Sequence, residues 1–172
     1  MARRGTTPTP LTPPGSTPRY LDRIYDDPRH DPYQAKGKYP DGTFCRDCHA
    51  VFRRGRWTTG PAPETAHPAL CPACGRIRDE LPAGYVTLDG ARTVAERDAM
   101  VRIARNEEAR MKAEHPLERI MRVEEDGLRV NVTTTDTHLP CRIGETVKRA
   151  YKGKLDVKFG EDEYSVRVHW QR

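Results

Sequence analysis

The sequence has little of what builds membrane spans, disulfide frameworks or large cores. Of its 172 residues 35% are hydrophobic and 7% aromatic, and no long apolar run occurs anywhere. A membrane-crossing helix needs about 20 consecutive apolar residues, so none is expected. The first residues, MARRGTTPTPLTPPGSTPRY, are rich in Pro and Thr and lack an apolar stretch of the signal-peptide kind. The five cysteines are odd in number and cannot all pair. The expectation is therefore a cytoplasmic, monomeric protein in a reducing compartment, with no membrane partner. Also missing are a Gly-rich phosphate loop, a Ser/His/Asp pattern and a carboxylate pair that stands out from the charged surface, so the chain is expected not to be an enzyme.

What is there begins with FCRDCHAVFRRGRW, from Phe44 to Trp57. Cys45-Arg46-Asp47-Cys48-His49 spells both a haem-attachment site and half of a zinc site. Haem attachment to C-x-x-C-H requires export, for which the N-terminus gives no support. Downstream, Cys71-Pro72-Ala73-Cys74 supplies a second C-x2-C after a 22-residue spacer, 49–70. Paired C-x2-C knuckles are the ligand pattern of a closed, tetrahedral structural zinc site, so Cys45, Cys48, Cys71 and Cys74 are the expected Zn2+ ligands. A thioredoxin-type redox motif would not need the second pair. A zinc deaminase would need an upstream His-x-Glu, and no such triplet exists. A catalytic zinc keeps an open coordination position, which four cysteines would close. His49 and His67 lie beside the ligands and are read first as exposed residues, with a place in the metal shell as the alternative. Cys141, alone after Pro140, reads as a packed small residue.

Composition divides the chain into three. Residues 1–40 are Pro-punctuated and polar and read as an extended or disordered arm. Residues 41–92 form a zinc-ribbon module, its spacer read as a short strand followed by a loop and GYVTLDG as a strand linking it to the C-terminal domain. Residues 93–172 read as an α+β domain. Thr93 with Glu96 suggests a capping box opening a helix that runs to about His115, stopped by Pro116. RIMRVEEDGLRVNVTTT then alternates as a hairpin about EEDG, HLPCRIGETVKRAYKG has apolar residues at helical spacing, and LDVKF and YSVRVHW form a second hairpin about Gly-Glu-Asp-Glu. The order helix, hairpin, helix, hairpin predicts two helices on an antiparallel sheet of about four strands.

Charge locates the expected partner. The net charge is +5, and residues 1–40 and 45–78 carry the excess, 7 basic against 4 acidic and 6 against 2, whereas 79–172 is close to balanced. FRRGRW sets Arg53, Arg54 and Arg56 between Phe52 and Trp57, and the second knuckle adds Arg76 and Arg78. Guanidinium forks suit phosphate, and Trp57 is expected to stack on an unpaired base. The alternative is that Phe52 and Trp57 cover the metal site as a miniature core. Lys148, Arg149 and Lys152 make a second basic run at a helix end, where they contact RNA or complement the helix dipole.

FCRDCHAVFRRGRW, CPACGRIRDELPAGYVTLDG, PLERIM and TTTDTHLPCRIGETVKRAYKGKL with YSVRVHW resemble a family of small bacterial zinc-ribbon proteins. More distantly, the layout resembles the N-terminal zinc region and following α+β domain of the Nmd-type adaptor of the large ribosomal subunit. The resemblance implies a ribosome or ribosomal-RNA ligand of the stress or hibernation type, with a ribosomal protein as a further contact. Two alternatives stand beside it, a zinc-ribbon DNA-binding regulator and a protein-interaction module using the edges of the C-terminal sheet.

Overall fold

A computed structural model describes residues 31–33, 39–160 and 164–172. Most of the expected arm, and the turn at residues 161–163, lie outside the described residues. The elements in order are β1 Phe44–Cys45, β2 Val51–Arg53, β3 Arg56–Thr58, β4 Pro68–Ala69, α1 Pro72–Asp79, β5 Gly84–Asp89, α2 Val94–Met111, β6 Ile120–Asp126, β7 Arg129–Thr134, α3 His138–Tyr151, β8 Lys154–Phe159 and β9 Val166–Gln171. The architecture is α+β, with two mixed sheets.

The cysteine-bearing unit is a four-stranded sheet in the order β3-β2-β1-β4. Its strands are two or three residues long, too short to hold a sheet by ladder hydrogen bonds alone. The β2–β3 hairpin turns at Arg54 (φ 50°) and Gly55 (φ 84°), and positive φ at both central residues matches the right-handed twist of the flanking strands. Where the sequence suggested one strand and a loop there are thus a hairpin and the short β4, which runs parallel to β1.

The larger sheet corrects the sequence reading. It has five strands, not four, in the order β6-β7-β5-β9-β8, and β5 runs parallel to β9. GYVTLDG is not a link but its central strand, paired on one side with β7 and on the other with β9. The physical reason is its alternation: Val86 and Leu88 are fully buried while Tyr85, Thr87 and Asp89 face the other way. Hairpins announce themselves by local turns, whereas a parallel pairing across some eighty residues carries no local signal.

Helices α2 and α3 cover one face of this sheet. Met100 and Ala104 of α2 and Leu139, Ile143 and Val147 of α3 join Val86, Leu88, Val130, Val132, Val166, Val168 and Trp170 in one core. Helix α2 begins as expected, with Thr93 Oγ1 accepting from the Glu96 amide, but it ends at Met111. The β6–β7 turn falls on Gly127 and Leu128, later than EEDG, which leaves Leu128 in the turn and exposed rather than facing the core with Val130. Gly84 lies where a Cβ would collide with Pro140 and Thr134 and come within 2.5 Å of the Asp136 carbonyl, so the start of β5 can press against the start of α3 only as glycine. Cys141 is fully buried, as read, and burial pushes its thiol up to about 12.

Candidate metal centre

Two local structures carry the cysteines. In the first, the Cys45 carbonyl accepts from the His49 amide (2.9 Å) and the Cys45 amide donates to Ala50 O (2.8 Å), closing a knuckle through Cys48. His49 closes it at φ 62°, a left-handed conformation that histidine adopts more readily than most residues. The histidine of C-x-x-C-H is therefore a turn residue here, and its side chain is exposed. In the second, Cys71 is the N-cap of α1: its Sγ accepts from the Cys74 amide at 3.4 Å, and Pro72 takes the first helical position, where no N–H is needed. This helix was not anticipated, although proline after a capping residue and Arg76 and Arg78 in the last turn are its signals.

Together these place Cys45, Cys48, Cys71 and Cys74 with their sulfurs all within 4.8 Å of one another. Cys48 Sγ and Cys71 Sγ are 3.6 Å apart. A tetrahedral thiolate site with bonds of about 2.3 Å has sulfur–sulfur edges of about 3.8 Å. The four cysteines fit a metal ion. Neither His49 nor His67 belongs to the cluster; His67 enters the sheet through its carbonyl, which accepts from Phe44 N at 2.9 Å.

Electrostatics argue the same way. The hydrogen bond between Cys48 and Cys71 lowers the Cys48 thiol and, with burial, raises that of Cys71. Burial raises Cys74 against the pull of Arg119. Thiolates in so enclosed a cluster need a cation, which a metal supplies while releasing the protons. Four thiolates around a divalent ion leave a net charge of −2. Arg119, from the chain entering β6, offsets part of it: its Nη2 donates to Cys74 Sγ at 3.1 Å and lies 3.8 Å from Cys71 Sγ. Sequence reasoning missed Arg119, which lies far from the knuckles along the chain, in a stretch, PLERIM, that carried a resemblance but no ligand signal.

A small core covers the cluster. Phe52 and Trp57 pair edge to face at 5.6 Å, and Tyr39 meets them at 5.4 and 5.1 Å. Trp57 is only 8% exposed, so its ring is not at the surface; the miniature-core alternative describes it. Arg76, 4% exposed, is not at the surface either. It pairs with Asp31 at 2.5 Å, donates to Leu81 O, and lies over Tyr33 (4.6 Å) and Tyr164 (5.6 Å), joining α1 to the sheet domain. Asp31, Tyr33 and Tyr39, from the segment read as arm, thus belong to the folded unit.

The remaining basic residues stay outside. Arg54 and Arg56 are exposed at the β2–β3 turn, Arg53 is half-buried with its guanidinium on Pro61 O, and Arg78 is exposed on α1. Lys148, Arg149 and Lys152 are exposed at the end of α3, in the other unit, where Lys148 and Arg149 occupy its last turn.

A second polar cluster lies near the junction. Asp136 Oδ2 accepts from the His138 and Leu139 amides at 2.6 and 2.8 Å, capping α3 in place of Thr137. Burial and the nearby Glu118 charge push its carboxyl up to about 7. Glu118 is itself raised by burial, and its Oε1 lies 3.7 Å from Nδ1 of both His115 and His138.

Comparison with protein-family models, curated proteins and solved structures finds no match in any of the three. Among the described residues no helix is long and apolar enough to cross a membrane.

Proposed function

We propose that the protein is a structural-zinc protein whose ribbon docks on structured RNA, with the ribosome as the particle it binds. Zinc is the ion that four thiolates at tetrahedral spacing suit best, and its contribution is to the fold: it ties both knuckles together and fixes the hairpin between them. The observation that carries the RNA reading is the position of Arg54 and Arg56, exposed on either side of Gly55 at the tip of a hairpin rooted in the metal cluster. Arg53 and Arg78 extend the positive charge along the same unit. A rigid arginine tip is suited to bidentate phosphate contacts in a folded RNA.

The test is sedimentation of tagged protein with its own cell lysate, at low and high salt and with and without ribonuclease. Co-migration with ribosomal particles, lost with salt, with ribonuclease and in an Arg53→Ala/Arg54→Ala/Arg56→Ala variant that keeps its metal, is the expected result. Protein that stays at the top of the gradient in every condition, or a triple variant that sediments like the parent, overturns the reading.

A further inference from the structure

The face of the five-stranded sheet turned away from α2 and α3 carries a row the sequence does not advertise. Strand register aligns Arg122 (β6) with Thr133 (β7), Thr133 with Tyr85 (β5), Tyr85 with Arg167 (β9), and Arg167 with Lys158 (β8). With strands about 4.8 Å apart the row spans about 19 Å. Three cations flank one aromatic ring, and the row holds no acid. At its centre the Arg167 guanidinium lies over the Tyr85 ring, 4.9 Å from the centroid. At the β6 end the row opens into a groove of about 340 Å³ beneath the end of α1, where Ile77, Pro82 and Met121 supply apolar walls and Arg122 stands among Glu80 and Glu124, the carboxylates it pairs with.

The neighbouring row sharpens the chemistry. It reads Glu124, Asn131, Thr87, His169 and Asp156, with acids only on the two outer strands and amide, hydroxyl and imidazole groups between them. Arg122 pairs with Glu124 (3.3 Å) and Glu80 (3.7 Å), and Lys158 with Asp156 (3.4 Å). Exposed pairs of this kind contribute about 0–1 kcal/mol, so a phosphate can replace the carboxylate at little cost. A flat stacking centre between cations suits a strand whose bases are unstacked, not a duplex whose bases are enclosed.

We propose that this face binds unpaired RNA. One base stacks on the Tyr85–Arg167 platform, phosphates lie on Lys158 and Arg122, and the adjoining base enters the groove under α1. The inference deepens the RNA reading above and rests on it for the class of ligand, but it assigns a different surface from the arginine tip.

The experiment is fluorescence anisotropy of a 5′-labelled, mixed-sequence single-stranded RNA of about ten nucleotides, titrated with metal-loaded full-length protein at low salt. Tyr85→Ala is expected to weaken binding about five- to hundredfold, the range for loss of one base–aromatic stack. Tyr85→Phe keeps the ring and should bind within about twofold of the parent. Lys158→Glu, at a side chain 77% exposed, cannot disturb the core and should weaken binding and flatten its salt dependence. The Arg53/Arg54/Arg56 variant should bind the oligonucleotide nearly as the parent does, which separates this face from the ribbon. Parent protein that does not bind the oligonucleotide, or Tyr85→Ala and Lys158→Glu proteins that bind it unchanged, overturns the proposal whatever the ribosomal sedimentation shows. Oligonucleotide binding lost in these two variants supports it even if sedimentation with ribosomes fails.

Discussion

The two halves of the protein are held together by different physics. The sheet domain buries Leu88, Met100, Leu139, Ile143, Trp170 and a set of valines with essentially no exposure, and its strands run to six or seven residues. That core is of the kind that supports a domain unaided. The cysteine unit buries Val51, Phe52, Trp57, two alanines and three of its four cysteines, on strands of two or three residues. A unit so poor in apolar contact would draw much of its folding free energy from an ion held by its four cysteines. The difference shows how an arginine-rich tip could be tolerated: cross-linking by an ion would leave the surface of the small unit free of packing duties.

The largest perturbation of the self-sufficient half is predicted for Gly84→Ala. The new methyl meets Pro140, Thr134 and the Asp136 carbonyl, which is backbone and cannot step aside. Overpacking of this kind costs about 1–3 kcal/mol, read as a lowered midpoint in urea unfolding followed by far-ultraviolet circular dichroism with metal content unchanged. Arg119→Ala strikes the joint between the halves. Removing the donor to Cys74 and Cys71 is expected to weaken metal affinity about 10- to 100-fold in chelator competition, the range for partners that orient and neutralise a metal shell, while the sheet domain keeps its melting midpoint.

The smallest effect concerns pH. Asp136 is raised in the folded state to about 7 from an ordinary carboxylate value, so the fold favours its protonated form. Its contribution is fully present below the unfolded value near 4 and is lost as pH rises through about 7. Asp136→Asn keeps an oxygen for the α3 cap but cannot ionise. The variant is expected to lose less stability than the parent between pH 5.5 and 8, by an amount on the order of 1 kcal/mol or somewhat more. Parallel stability curves would contradict the assignment.

How far the sequence was legible follows the same division. The metal cluster could be read from two C-x2-C pairs because ligand spacing is local chemistry. The start of α2 and the body of α3 could be read because the Thr93 cap and the 3.6-residue spacing of Leu139, Ile143 and Val147 are local too, whereas the end of α2 at Met111 falls short of the stop at Pro116. The central place of β5 could not be read, since its parallel partner β9 lies at the other end of the domain. The depth of Trp57 was legible only as an alternative, the miniature core, and that of Arg76 was not: Asp31, Tyr33 and Tyr164, distant along the chain, meet Arg76. Arg119 was invisible for the same reason, being brought to Cys74 by the docking of one unit on the other.

The most direct test of a metal-built ribbon on a self-sufficient domain is amide hydrogen exchange on the purified chain, before and after removal of its metal by a chelator under reducing conditions. The account predicts that Phe44–Asp79 loses protection on chelation, while Val86, Leu88, Val130, Val132 and Val168 retain theirs. Protection retained in Phe44–Asp79, or lost from both regions together, would contradict it.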